Sequence, residues 1–226
     1  MERKEGRNEN VTNYIFQSNR SCCIAGPSFS GKSTFCIRLI YLREKLFPPG
    51  DVPKKILYCY GVENEIFKKL KEDIDDISFH KGLPSLEKIK EYADDESLLL
   101  IIDDLIQDVV DSKDIELLLI REAHHSRIST FVISQNLYAR GKNSRSISIN
   151  YAYVVLTNSP RDKTYIATLS RQFMPGRPKM LLEAYLDAIK LPFSYLFADF
   201  TVQQDENLRL QTNIFPGETR LFYVPK

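Results

Sequence analysis

The sequence predicts an α/β fold with a mostly parallel central sheet flanked by helices. Three observations carry this reading. Short β-rich apolar runs alternate with stretches of helical spacing, a glycine-rich loop separates the first run from the first helix, and polar residues recur where apolar runs stop. With 226 residues, 43% of them hydrophobic, the chain holds enough apolar surface for one sizeable core. Residues 13–226 are therefore expected to form a single domain, and the polar residues 1–12 a flexible N-terminal arm.

Taken in order, Cys22–Ala25 is a short apolar strand, and Lys32 to about Leu46 has the spacing of a helix. Lys55–Tyr60 forms the next strand, Glu63–Ile74 a charged amphipathic stretch, and Ile77–His80 a brief strand broken by Gly82 and Pro84. A helix over Leu86–Tyr92 has Ser85 as its N-cap. Leu98–Ile102, the most apolar run, belongs in the middle of the sheet. Helical spacing returns from Ile115 to about Ala123, and Thr130–Ser134 forms another buried strand that ends in Gln135 and Asn136. A polar, basic loop over Tyr138–Ser146 leads to a strand at Tyr151–Leu156, helices near Asp162–Phe173 and Lys179–Ile189, a strand at Tyr195–Ala198, and a final hairpin or tail.

The chemistry is concentrated in Gly26-Pro27-Ser28-Phe29-Ser30-Gly31-Lys32-Ser33-Thr34, a complete G-x-x-x-x-G-K-[ST] loop placed between strand and helix. A polyphosphate is held by converging backbone N–H groups, which requires glycines that allow unusual dihedrals and close approach. Lys32 supplies a point charge to the β- and γ-phosphates, Ser33 a hydroxyl for Mg²⁺, and the helix N-terminus its partial positive charge. The chain is thus expected to bind a nucleoside triphosphate with Mg²⁺ through Gly26, Pro27, Ser28, Ser30, Gly31, Lys32, Ser33 and Thr34. Leu98 to Asp104 has the form of a Walker B element, in which an apolar strand delivers an acid to the metal. Asp103 is the metal-shell residue. Asp104 is a candidate for orienting the attacking water, and Glu63, just past another strand, is the alternative. Gln135 is placed as a polar sensor of the γ-phosphate or the water. Ligands of open α/β sheets bind outside the strands' C-terminal ends, so these groups should share one crevice. Phosphoryl transfer also needs positive charge, and Arg121, Arg127, Arg145 and Arg161 all stand near element ends.

Basic and acidic residues nearly balance, 31 against 30, and the net charge of +1 predicts no general affinity for nucleic acid or anionic membrane. Cys22, Cys23, Cys36 and Cys59 lack metal spacing and read as reduced core residues of an intracellular, non-secreted protein, in nucleus or cytoplasm. The polar N-terminus is no secretory signal, and no apolar run is long enough to cross a bilayer. The adjacent His124 and His125 would diverge on a helix, which argues against a zinc site.

Beyond the two phosphate-site elements, the chain resembles the FtsK/HerA superfamily of RecA-like (ASCE) P-loop NTPases. Within it, the chain is similar to the genome-packaging ATPases of Polinton (Maverick) elements, adintoviruses and related viruses. The resemblance runs from about Ser21 to Pro216. It includes Ile24 to Ser28 leading into Gly31-Lys32-Ser33, then Tyr58-Cys59-Tyr60, Phe79 to Pro84, His124-His125, and Ser134 to Leu137. Arg145 to Asn150, Asn158 to Lys163, Glu183-Ala184-Tyr185 and Asn213 to Pro216 continue it. It implies a homo-oligomeric ring that hydrolyses ATP and drives double-stranded DNA into a preformed capsid, with a capsid or portal protein as partner and an association with the virion. Lys32, Ser33, Asp103 and Gln135 carry over by motif, and Arg145 is the best candidate for the arginine supplied to a neighbour. The chain departs at Phe29, where such relatives more often have a small residue, and at Asp104, where cellular members use glutamate. The basic segment Arg140 to Arg145, with Tyr138 nearby, would meet DNA phosphates without reading sequence. The competing readings are a P-loop kinase or nucleotide-processing enzyme, and a nucleotide-binding interaction protein that no longer hydrolyses.

Overall fold

A computed structural model of the protein describes residues 1–5, 14–120, 127–136, 141–159 and 163–225. Among these, ten strands form one sheet, a parallel block continued on one side by an antiparallel extension. The parallel block is β7 (Tyr153–Thr157), β2 (Ser21–Ala25), β6 (Ile128–Ser134), β5 (Leu98–Asp103), β3 (Lys55–Tyr60) and β4 (Ile77–Lys81). The antiparallel extension is β8 (Tyr195–Asp199), β9 (Leu210–Thr212), β10 (Leu221–Val224) and β1 (Glu2–Glu5). The C-terminal stretch, expected as a hairpin or a tail, is therefore part of the main sheet.

Helices cover both faces, and the period-2 alternation of β5 shows why. Leu98, Leu100 and Ile102 join the apolar cluster beneath α3 (Leu86–Ala93), α4 (Ile106–Asp111), α5 (Lys113–Ile120), α6 (Ser144–Ile149), α7 (Lys163–Phe173) and α8 (Pro178–Ala188). Leu99 and Ile101 face the other way, into the cluster beneath α1 (Lys32–Leu46) and α2 (Ile66–Asp73). All four cysteines are buried and free, as their apolar settings predicted. The Ser85 hydroxyl accepts from the Lys88 N–H and caps α3.

Two expectations are corrected, and one helix is added. Glu2–Glu5 is not a free arm: it pairs antiparallel with β10, and Arg3 meets Asp187 at 3.3 Å, because β10 offers an open edge that a charged strand can close. Residues 6–13, which include the rest of that expected arm, lie outside the described set, as do 121–126, 137–140 and 160–162. Arg145 stands in α6 rather than in a loop, because Asn143 is pinned to α4 by its N–H bond to Val110 O and Ile147 is buried below. Ile106–Asp111, unassigned from sequence, forms α4.

Strand register sets the height of the site. Ala25 is level with Ser134 on one side and Leu156 on the other, while Asp103 is level with both Ile133 and Tyr60. The C-terminal ends of β7, β2, β6, β5 and β3 thus form one rim.

Candidate active site

On that rim, a cleft of about 590 Å³ is bordered by the glycine-rich loop after β2, the acids after β5, Gln135 after β6 and Glu63 after β3. Of the loop, Ser28, Phe29, Gly31, Lys32, Ser33 and Thr34 border the cleft; Gly26, Pro27 and Ser30 hold its shape from beneath. Gly26 is obligatory. A Cβ there would lie 1.9 Å from Thr157 Oγ1, so the loop can cross the end of β7 only without a side chain. The Gly26 N–H also donates to Ser134 O, which ties the loop to β6.

Ser30 and Thr157 hydroxyls lie 2.6 Å apart, Ser30 Oγ donates to Pro27 O, and Thr157 O accepts from the Tyr185 hydroxyl of α8. The loop is thereby braced from two elements behind it. Gly31, at φ 99°, turns the chain into α1, whose first turn carries no acid and no side-chain cap. That end therefore presents backbone donors and partial positive charge to the cleft. Lys32 Nζ bridges Gly26 O and Pro27 O, each at 2.7 Å. Burial lowers the Lys32 pKa, and the charges of Asp103 and Asp104 act against that shift.

Asp103 is half-buried, and Tyr58 donates its hydroxyl to Asp103 Oδ2 at 2.7 Å from the neighbouring strand. Burial pushes the Asp103 carboxyl upward, opposed by the Tyr58 bond and the Lys32 charge, while Asp104 adds to the rise. Asp104 is exposed and adopts φ 57°. Gln135 is exposed where Ser134 Oγ closes a turn onto Asn136.

The oxygen pair of Ser33 and Asp103 suits Mg²⁺, which takes one or two carboxylates together with substrate phosphates. Among the described residues no group of three or more His, Cys, Asp or Glu forms a closed metal cage. His124, His125, Arg121 and Arg161 lie outside the described residues. Arg145 is exposed and does not border the cleft of its own chain, nor does Arg127.

No protein-family model and no curated protein matches the sequence. Among solved structures, B204, the DNA-packaging ATPase from Sulfolobus turreted icosahedral virus, aligns with a TM-score of 0.54. The alignment covers 85% of this chain and 96% of that one at 14% identity. The fold is the P-loop NTPase fold. The flagellar accessory protein FlaH from Methanocaldococcus jannaschii aligns with a TM-score of 0.44, over 61% of this chain and 70% of that one at 13% identity.

The P-loop and the two acids were legible because they are contiguous motifs. Tyr58, which holds Asp103, Thr157, which braces Ser30, and Phe193, which borders the cleft, carry no such motif. Thr157 could have been noticed as a polar residue closing an apolar run, the same signal that marked Gln135. Nothing in the local sequence marks Phe193. No helix among the described residues is long and apolar enough to cross a membrane.

Proposed function

We propose that this protein is a Mg²⁺-dependent ATPase whose subunits form a ring that drives double-stranded DNA into a viral or virus-like capsid, of the Polinton type that its sequence resembles. The observation that carries the ATPase reading is the convergence of Lys32, Ser33, Asp103, Asp104, Glu63 and Gln135 on one cleft. The motor reading rests on the ordered run of resembling segments. It is in keeping with a fold shared with a protein described as a DNA-packaging ATPase.

Lys32 would leave its loop carbonyls to meet the β- and γ-phosphates, while α1 amides hold the chain of phosphates in line. Ser33 and Asp103 would hold Mg²⁺, which neutralises charge on the phosphate oxygens. Water attacks the γ-phosphorus, the bond to the β-phosphate oxygen breaks, and ADP departs. Asp104 or Glu63 takes the water's proton, with Gln135 fixing the water or the γ-phosphate.

The test is steady-state ATP turnover with and without long duplex DNA, in the wild type and in Lys32→Ala. We expect DNA-stimulated hydrolysis in the wild type. In the variant, turnover should fall at least about a hundredfold with the fold intact by circular dichroism. Unchanged hydrolysis in Lys32→Ala would refute the active-site assignment. Stoichiometric phosphate transfer to a small metabolite, without a DNA effect, would replace the motor by a kinase.

A further inference from the structure

The sheet order gives the cleft a direction. Glu63 follows β3, Asp103 ends β5 with Asp104 next to it, and Gln135 follows β6, so the groups outside the P-loop that suit the metal and the terminal phosphate lie to one side of it. On the other side, past the end of β7, the cleft is bordered by Phe193 in the turn before β8. A triphosphate whose last phosphate meets Lys32 and Asp103 must send its sugar and base toward that side.

Phe193 is placed for such a role. Its Cα and the root of its side chain pack over the P-loop: a Cβ on Gly31 would stand 3.4 Å from Phe193 Cβ and 3.5 Å from both its Cα and its Cδ1. The turn that carries it is closed by Ser194 N–H donating to Leu191 O, and Asn158 Nδ2 of the β7 end reaches Ile189 O. Yet the residue remains 67% exposed, and it holds φ 60°, a left-handed conformation unfavourable for an aromatic residue. The ring is anchored at its root and solvent-facing at its face, where a flat heterocycle can cover it.

We propose that Phe193 is the platform on which the nucleobase of the bound nucleoside triphosphate stacks. The proposal rests on the reading of this cleft as a nucleotide site, and it assigns the base to the β7–β8 side. Base-on-aromatic stacking is strong enough to dominate the non-phosphate part of the affinity.

The experiment compares ATP with inorganic tripolyphosphate, which has the phosphates but no base, by calorimetry. Wild type should bind ATP more tightly than tripolyphosphate. Phe193→Gly removes the ring and relieves the positive φ, so it should lose about tenfold in ATP affinity while tripolyphosphate binding is unchanged. The protein contains no tryptophan, so Phe193→Trp installs a single reporter. ATP should quench its emission and tripolyphosphate should not. Undiminished ATP affinity in Phe193→Gly, or equal quenching by both ligands, overturns the base platform while leaving the phosphate site standing. Failure of wild type to bind either ligand overturns the cleft reading and the platform with it.

Discussion

Tyr58 shows what a single buried hydroxyl contributes. It sits against Phe67 and Phe79, its ring buried, and its hydroxyl has Asp103 Oδ2 as acceptor. Burial, with Cys36 and the Asp103 charge adding to it, pushes the phenol far above its ordinary range, so it acts as a donor. One carboxylate oxygen is then occupied and the other is left for the metal shell. We expect Tyr58→Phe to raise the Mg²⁺ concentration that half-saturates hydrolysis by about tenfold, the scale of one charge-assisted bond. Nucleotide binding without metal should hold steady. Mg²⁺ titrations of turnover, beside metal-free binding, check both; an unaltered Mg²⁺ requirement would remove Tyr58 from the site. Phe29 illustrates a residue the motif tolerates without demanding: it is 99% exposed at φ 62°, where glycine would sit without strain.

At the level of elements, the parallel strands were readable because each is an apolar run between turn signals. β1 was not. Glu-Arg-Lys-Glu has no apolar alternation, all four residues are exposed, and only the presence of β10 makes a strand of it. Its attachment centres on Asp187 of α8, which meets Arg3 Nε at 3.3 Å, accepts from the Tyr223 hydroxyl at 3.1 Å and pairs with Lys190 at 2.6 Å. Burial pulls the Asp187 carboxyl upward, but the bonds from Lys190 and Tyr223 and the charge of Arg3 hold it below the usual range. A depressed folded-state pKa stabilises the fold above the unfolded value, about 3.9, and that stabilisation vanishes as pH falls through the folded value. Asp187→Asn should therefore cost about 1 kcal/mol at neutral pH. The gap from wild type should close in strong acid. Denaturant melts at pH 7 and below pH 3 check the sign; a gap that widened in acid would contradict it.

For the whole molecule, the proposed ring would let a neighbouring subunit supply the positive charge that phosphoryl transfer needs. Arg145 lies exposed on α6 and away from its own cleft, so any part it plays in phosphoryl transfer must be in a neighbouring subunit. An arginine supplied in trans is worth roughly 10³ to 10⁵ in rate. Arg145→Ala should thus suppress turnover as strongly as Lys32→Ala, and mixing the two inactive proteins should recover activity. A mixed interface joins an intact lysine site to an intact arginine. A mixture no better than its parts would exclude the trans role. The α/β alternation, the P-loop and the acid-tipped β5 are legible along the chain, because each is contiguous and rests on local backbone geometry and apolar period. That Tyr58 holds Asp103 across 45 positions, that Thr157 braces Ser30 across 127, and that Phe193 closes the far end of the cleft emerges with the folded sheet alone. Those pairings follow from strand order and register, which arise when two apolar faces of one sheet are buried together and cannot be read from any single segment.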